Sequence, residues 1–257
     1  YVTRTEEGLA YPIHCRGRSV DDAAATVLLD QNAEAAGHEY FDLGVFEIDA
    51  EHRFLAWSAD TSGDEHYTMR VRDLSTGADL ADELHDTTWA GAAWSADGRY
   101  LFYVTADAAE RPCHVWRHEL GTTQADDVRI FTEPDERFYV GLGTTSSDAW
   151  IVIHAGSKTS SEQWLLPADE PLAELRPVRA RTADVEYHLD DWGDRFVVLT
   201  NLDAVDFRVM TAPLDHPDEW VELLPDRDGH RITAVEPFAD HLVVHEWAQA
   251  QPRVRVV

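Results

Sequence analysis

The residues best suited to chemistry lie in one short acidic segment, Asp60-Thr61-Ser62-Gly63-Asp64-Glu65. It places three carboxylates and two hydroxyls within six residues, and hard cations such as Ca²⁺ prefer oxygen ligands. The spacing does not match an EF-hand loop. The same residues are typical of an Asx-type turn between two strands, with the acids solvated or paired with arginine. The turn is the favoured interpretation, and a metal-binding module centred on residues 60–65 is the alternative.

A serine nucleophile is the second chemistry to consider. The α/β-hydrolases carry it in Gly-x-Ser-x-Gly, on a turn between a strand and a helix, and the sequence lacks that pentapeptide. Ser62 and Ser157 come nearest to it, but no helical pattern follows either of them. Neither serine is predicted to be a nucleophile. The chain by itself is therefore not predicted to be an enzyme.

Histidines and cysteines give little support to a metal or cofactor site. None of the 13 histidines forms a His-x-x-x-His pair in a helical pattern, and Cys15 and Cys113 stand far apart. His14 and His118 lie within strand patterns, where we expect an imidazole to pack in the core. Gly141-Leu142-Gly143 lacks the third glycine and the following helix of a dinucleotide fingerprint. The sequence predicts no metal and no cofactor.

The elements that must position these residues are strands. Five hydrophobic runs, each entered through a polar turn, begin 46, 50, 46 and 46 residues apart. The runs are Arg53–Trp57, Arg99–Tyr103, Ala149–Ile153, Arg195–Leu199 and His241–His245. A period in the forties, with no helical pattern between the runs, is typical of propeller blades of four antiparallel strands. We therefore predict an all-β fold, a β-propeller.

The blades are predicted as consecutive pieces of one partial propeller domain: residues 1–40, 43–84, 89–131, 138–178, 185–224 and 232–257. In the first piece, Val27–Leu29 is a strand candidate, and Ala23–Ala25 and Ala33–Ala36 are candidates for short helical turns. The first and last pieces look incomplete, so about five to six blades are expected. Open strand edges of that kind favour self-association.

Turns and connectors follow the same period. The turns 96–99, 191–194 and 239–241 occupy corresponding places, and the glycines in the first two suit tight hairpins that need a positive φ. The charged segment 133–138 is predicted to connect two blades, because Pro134 cannot occupy a central ladder position. Connectors of this kind lie on one rim of a propeller, where domains or peptides dock.

Composition limits the possible partners. Forty-nine acidic and 21 basic residues give the 257-residue chain a formal charge of −28, which would repel nucleic acid. The acidity indicates either a field that draws in cationic ligands or a well-solvated surface, and the second interpretation is favoured. No apolar run approaches the roughly 18 residues that span a bilayer, so no membrane partner is expected. Two free thiols fit a reducing compartment, and we expect the cytoplasm.

Several short segments of the sequence, besides its repeat period, resemble the oligopeptidase B branch of the prolyl oligopeptidase family of serine peptidases. They lie at residues 1–8, 11–16, 37–44, 60–65, 111–118, 133–138, 156–162 and 199–201. The resemblance implies an N-terminal seven-bladed propeller that caps a C-terminal α/β-hydrolase domain with a Ser-Asp-His triad. Such enzymes cleave short peptides after Arg or Lys, and the propeller acts as a lid and size filter.

The resemblance implies two partners, the hydrolase domain of the parent chain and short basic peptides. This sequence departs from the family by truncation, and it contains no position that matches the triad, so no catalytic residue carries over. Charged loop residues are the candidates for the face toward the hydrolase domain: Asp60, Asp64, Glu65, Arg111, Asp135, Glu136 and Arg137. The alternative is a stand-alone propeller, resembling WD-repeat or TolB-like scaffolds, that holds a protein or cationic peptide on its rim.

Overall fold

The computed structural model describes residues 1–19 and 26–257, and strands dominate this part of the chain. Within it, 21 strands form five antiparallel sheets, and the helical content is one four-residue α-helix and one 3₁₀ turn. The all-β prediction is confirmed. The helical turn predicted at Ala23–Ala25 lies outside the described residues.

The first sheet contains β1 (Val2–Arg4), β2 (Ile13–Cys15) and β3 (Val27–Asp30). Helix α1 (Gln31–Glu34) follows directly, because the Asp30 carboxylate accepts a hydrogen bond from the backbone N–H of Asn32 and caps its first turn. The predicted strand at residues 27–29 is thereby confirmed. The helical turn predicted at residues 33–36 overlaps α1 and the turn that follows it.

The second sheet has seven strands and joins two pieces that the sequence predicted to be separate. Its central strand β7 passes from one piece into the next, and Thr87 pairs with both Tyr67 and Thr105. The pairing is irregular around this residue, since the register shifts on both sides of Thr87 and Asp86 has a φ of +55°. The strands are β4 (Asp42–Ile48), β5 (Phe54–Asp60), β6 (Tyr67–Asp73), β7 (Ala78–Trp94), β8 (Tyr100–Ala106), β9 (Pro112–Glu119) and β10 (Val128–Thr132).

Three smaller sheets complete the described chain. The third contains β11 (Tyr139–Thr144), β12 (Trp150–Gly156), β13 (Ser161–Pro167) and β14 (Arg176–Pro177). The fourth contains β15 (Tyr187–Trp192), β16 (Arg195–Thr200), β17 (Arg208–Pro213) and β18 (Val221–Leu224). The fifth contains β19 (His230–Pro237), β20 (Leu242–Ala248) and β21 (Gln251–Val256).

The five predicted hydrophobic runs are the strands β5, β8, β12, β16 and β20, each with a strand on either side in its sheet. Both faces of β5, β8, β12 and β16 are covered by neighbouring sheets, which explains why their sequences read as continuous apolar runs; β20, in the last sheet, alternates between buried and more exposed residues. Gly98 and Gly193 have φ values of +66° and +64°, as their turns require. The chain also turns at 239–241, where the Phe238 N–H donates to the His241 carbonyl (2.9 Å).

The core lies between successive sheets. One hydrophobic cluster joins Leu29 of the first sheet to Leu55 of the second, and another joins Phe102 to Ile151 of the third. Similar clusters link the third sheet to the fourth and the fourth to the fifth. The first strands of neighbouring blades also touch, as β4 does β7 and β7 does β11. Sheets that pack face to face, with their first strands in contact near a common axis, are the blades of a propeller.

A buried ion cluster reinforces the second sheet. The His118 ring, fully buried on β9, hydrogen-bonds Asp127 Oδ1 through Nδ1 (2.7 Å) and Asp82 Oδ1 through Nε2 (3.1 Å). Burial alone would lower the pKa of His118, but the hydrogen bonds to the two carboxylates outweigh it and the pKa is raised. His14 packs against Phe46 with ring centroids 4.5 Å apart. Both histidines therefore have the packing role that the sequence predicted.

Candidate functional site

One rim of the sheets carries every predicted site residue. Antiparallel strands alternate in direction, so the loop after the second strand of a blade and the connector after its fourth strand lie at the same end. This surface, here called the connector rim, is formed by residues 60–66, 84–88, 107–111, 133–138, 157–160 and 178–186. Hydrogen bonds and ion pairs join these loops to one another, so the rim is a network rather than a set of free loops.

The first group of candidates lies in the 60–66 loop. Asp60 is buried, and its Oδ1 accepts hydrogen bonds from the N–H groups of Ser62 (2.8 Å) and Gly63 (2.9 Å), while its Oδ2 accepts one from Glu65 (2.9 Å). Burial acts to raise the pKa of Asp60, but these hydrogen bonds outweigh it and the pKa is lowered. The Asx-turn interpretation is confirmed. Asp64 and Glu65 are exposed at the top of the turn.

His66 links this loop to two others. Its Nδ1 lies 3.2 Å from Asp86 Oδ1 in the 84–88 connector, and its Nε2 lies 3.4 Å from Glu110 Oε2 in the next loop. Burial acts to lower the pKa of His66, but the adjacent carboxylates raise it overall. His66 therefore joins three acidic loops on the rim, and protonation of its ring strengthens both contacts.

The second candidate is Arg111, whose side chain makes all its hydrogen bonds within the rim. Its Nε donates to Asp107 Oδ2 (3.0 Å), and its Nη atoms donate to the carbonyls of Glu133 (3.2 Å), Asp135 (3.1 Å) and Phe138 (2.7 Å). The residue is only 7% exposed. Arg111 therefore fixes the backbone of residues 133–138, here called the acidic connector, against the preceding loop.

The remaining candidates lie on the acidic connector itself. Asp135 forms a close ion pair with Arg137 (2.6 Å), and this neighbour, with Arg181 further off, lowers the pKa of the Asp135 carboxyl. The Arg137 side chain is 80% exposed, and Glu136 is exposed beside it. The structure therefore brings Arg111, Asp135 and Arg137 together and leaves Glu136 and Arg137 facing outward.

Sequence reasoning missed the side chain at the centre of this region, Arg181. It forms an ion pair with the buried carboxylate of Glu133, lies 3.1 Å from Glu162 Oε2, and stacks on the Phe138 ring at 3.5 Å. Arg181 follows Glu133 by 48 residues, about one repeat. A search for opposite charges one period apart would have found this pair.

A cleft of about 640 Å³ opens beside Arg181. It is lined by Arg137, Phe138, residues 157–160, Arg181, Ala183 and Asp184. The Ser157 hydroxyl is engaged in its own turn, since its Oγ donates to the Ser160 carbonyl (3.1 Å) and accepts from the Ser160 N–H (3.0 Å). Ser62 Oγ lies 2.6 Å from Asp64 Oδ1 in the Asx turn. Both hydroxyls stabilise turns.

Across residues 1–19 and 26–257, no group of three or more His, Cys, Asp or Glu side chains is placed to hold a metal ion. Cys15 and Cys113 are buried free thiols. In the same described part of the chain, no helix has the length and apolarity to cross a membrane.

Blades packed face to face, with interlocked charged loops on one rim, define a β-propeller domain. A family model described as the prolyl oligopeptidase N-terminal β-propeller domain matches residues 1–257. The chain belongs to the prolyl oligopeptidase family and corresponds to the N-terminal propeller of its members. The resemblance stated from the sequence is confirmed.

Similar proteins agree with this assignment. The chain is 36% identical over 276 residues to dipeptidyl aminopeptidase BI of Pseudoxanthomonas mexicana, covering 100% of the chain and 38% of that protein. It is 31% identical over 250 residues to protease 2 of Moraxella lacunata, covering 95% of the chain and 36% of that protein. The chain thus spans little more than a third of the curated relatives it matches.

Solved structures show the same fold. Oligopeptidase B from Leishmania major superimposes with a TM-score of 0.91 at 28% identity, over 99% of this chain and 37% of that one. Oligopeptidase B from Trypanosoma brucei, in a closed form with covalently bound antipain, gives a TM-score of 0.87 at 30% identity, again over 99% and 37%. In those proteins the propeller is one part of a longer peptidase chain.

Proposed function

We propose that this chain is the non-catalytic gating and size-filter domain of a serine-type oligopeptidase, which in full length hydrolyses short peptides after Arg or Lys. The observation that carries the proposal is the connector rim, where Arg111, His66 and Arg181 join five of the six loops, and the Ser160 hydroxyl joins the sixth by accepting from the Asp184 N–H. A preorganised charged surface suits repeated docking of a second domain, since little loop entropy is lost on each closure.

The charges left exposed on that rim are the groups that would meet the hydrolase domain. Asp60 and Arg111 are buried and hold the loops, whereas Asp64, Glu65, Glu136 and Arg137 point outward. Ion pairs from these outer residues would hold the two domains closed, and closure would exclude water and folded proteins from the hydrolase site. The rim residues thus divide into loop-holding and docking groups.

Basic peptides are the substrate class that this domain favours. Its formal charge of −28 produces a negative field that concentrates cationic ligands and repels acidic ones. Oligopeptidase B and protease 2 are named as peptidases, and dipeptidyl aminopeptidase BI is named for release of dipeptides, so relatives at similar identity differ in the reaction their names give. Cleavage after Arg or Lys is therefore the part of the proposal that an assay must decide.

The test compares the 257-residue chain with the full-length protein that contains it. On a short chromogenic peptide ending in Arg, we expect the chain alone to be inactive and the full-length protein to be active and blocked by a serine-directed inhibitor. The matched peptide ending in Glu should be a poor substrate, and the same Arg site inside a folded protein should resist cleavage. Inhibitor-sensitive hydrolysis by the chain alone would refute the non-catalytic role.

The alternative is a stand-alone propeller of the WD-repeat or TolB-like kind that binds a protein or cationic peptide. The acidity of the chain is the observation that favours it. Reading the coding frame past Val257 separates the two proposals. Continuation into a hydrolase with Gly-x-Ser-x-Gly supports the peptidase domain, and a stop codon supports the stand-alone binder.

A further inference from the structure

Positive charges gather in one place on an otherwise acidic chain, in the cleft of about 640 Å³ beside Arg181. Three loops meet there, and each contributes a cation: Arg137 from the acidic connector, Lys158 from the turn after β12, and Arg181 from the 178–186 loop. Asp184 is the one acid among the described residues that line this cleft, here called the basic cleft. The local excess of cations reverses the ratio of 21 basic to 49 acidic residues in the whole chain.

The walls of the basic cleft are fixed by contacts between its loops. Ser160 Oγ accepts a hydrogen bond from the Asp184 N–H (2.9 Å), which ties the turn after β12 to the loop of Arg181. The ion pair of Arg181 with Glu133 ties that loop to the acidic connector, and the Arg181 guanidinium covers the buried Phe138 ring at 3.5 Å. Little loop entropy is therefore lost when a ligand enters the cleft.

Two of the three cations keep hydrogen-bonding capacity for a ligand. Lys158 is the only lysine of the chain, and its exposed side chain has no ion pair or hydrogen bond within the part that the structure describes. Asp135 accepts from the Nε and Nη2 of Arg137, which leaves Nη1 without a partner among the described residues. The charge of Arg181, by contrast, is shared between two glutamates. The available donors are therefore an ammonium and the outer edge of a guanidinium.

This pair of donors suits a carboxylate. Hydrogen bonds from an ammonium or a guanidinium to a carboxylate are short and about twice as strong as neutral ones. The remote acids of the chain oppose such binding little, because charges more than about 8 Å away are largely screened at physiological ionic strength. A peptide carries a carboxylate at its C-terminus or on an acidic side chain. The volume of the basic cleft is typical of sites that hold small ligands.

We propose that the basic cleft binds a carboxylate of the peptide substrate through Lys158 and Arg137. The inference rests on the proposed peptidase function and deepens it, because it adds a second determinant to the basic residue at the cleavage site. Two contacts of opposite charge fix the direction in which the peptide lies on the connector rim.

The single lysine allows a direct test on the 257-residue chain. Reductive methylation with ¹³C-formaldehyde keeps the positive charge and labels Lys158 and the N-terminal amine, which give separate NMR signals. The probes are acetylated four-residue peptides with one arginine that end in a free carboxylate, in an amide, or in an amidated glutamate. We expect at least one acidic form to shift the Lys158 signal and to bind at least about 5-fold more tightly than the plain amide. The form that does so identifies the source of the carboxylate, and equal behaviour of all three peptides would overturn the proposal.

Arg137→Gln separates the basic cleft from the total charge of the chain. Since Arg137 is exposed, the fold should survive, and the preference for the acidic peptide should fall at least about 2-fold. Arg195→Gln removes the same charge from an exposed ion pair on the other rim and should leave the preference unchanged. An equal fall in both variants would reveal an effect of net charge and contradict the assignment.

The full-length protein tests whether the contact serves catalysis. Lys158→Gln should lower kcat/KM several-fold more for the peptide whose carboxylate binds than for its amide. Equal losses for both peptides would show that Lys158 meets the hydrolase domain instead, and would refute the inference. If the unmodified protein cleaves none of the peptides, the proposed peptidase function fails, and the NMR comparison on the 257-residue chain still decides whether the basic cleft binds a carboxylate.

Discussion

The buried cluster of Asp82, His118 and Asp127 allows a quantitative test of what holds the second sheet together. The perturbation is His118→Phe, which keeps a ring of similar size and removes both N–H donors. Asp82 and Asp127 would remain with side-chain exposures of 4% and 1% and without their cation. Asp82 would keep only the Gly121 N–H, and Asp127 only the Tyr103 hydroxyl, as donors.

The expected loss is about 3–5 kcal/mol of unfolding free energy. Two hydrogen bonds to charged groups, worth about 1.5–3 kcal/mol each, are removed. Removal of one partner from a buried ion pair costs about 3–5 kcal/mol, because the other charge stays buried and uncompensated. The first route gives about 3–6 kcal/mol and the second about 3–5 kcal/mol, so the two ranges overlap.

Urea unfolding at pH 6 and pH 9 is the assay. Because the pKa of His118 is raised in the folded chain, its stabilisation is fully present below the unfolded-state pKa of about 6.5 and is lost as pH rises through the folded-state value. The difference between the unmodified chain and His118→Phe should therefore be largest at pH 6 and smaller at pH 9.

Two controls make the result specific. His241→Phe removes an exposed pair with Asp240 and should cost less than about 1 kcal/mol. Asp127→Asn should destabilise the unmodified chain but recover part of the loss in the His118→Phe background, since one buried charge is gone. A loss below about 1 kcal/mol at pH 6, or a difference that grows toward pH 9, would show that the cluster is not an ion cluster.

Three further outcomes follow from the rim and the blade contacts. Gly91→Ala should cost about 2–5 kcal/mol in thermal unfolding, because φ is +102° and the new Cβ would overlap a carbonyl oxygen of β11; Gly77→Ala, with open space around it, should cost less. Arg111→Met should speed proteolysis in the acidic connector without unfolding the sheets, and unchanged cleavage would contradict its holding role. In the full-length peptidase, Glu65→Lys should weaken cleavage of short peptides at least several-fold, whereas Asp169→Lys on the opposite rim should not; equal effects would count against docking at the connector rim.

The sequence predicted the apolar inner strands of the sheets and gave no signal for the shortest strands. Runs such as Arg195–Leu199 are continuous and apolar because sheets cover both sides, so their pattern survives without a structure. The two-residue strand β14 has no such pattern. The predicted blades 43–84 and 89–131 form one sheet because the backbone of Thr87 pairs with a strand on each side. The amino-acid composition of the connector does not indicate such pairing.

The sequence predicted where the candidate site lies but not which of its residues contact one another. Charged loops recur at the same position of each repeat, and this pattern predicted that residues such as Glu65 and Arg111 lie on one rim. Their partners come from other repeats, as Arg181 does for Glu133, and only the packing of blades decides which charges meet. The sequence therefore could not separate Arg111, which faces inward, from Arg137, which faces outward.

The length of β7 has a mechanical consequence. Residues 78–87 of this strand pair with β6, and Thr87 and residues 92–94 pair with β8, so one strand belongs to both of the blades it joins. To pull these two blades apart would break a ladder of backbone hydrogen bonds, whereas the boundaries between later sheets are crossed by side-chain contacts and by isolated backbone bonds such as that from the Ser161 N–H to the Val185 carbonyl (3.0 Å). Deformation would therefore concentrate in the half of the molecule after Thr132, and single-molecule stretching should record those blades yielding first.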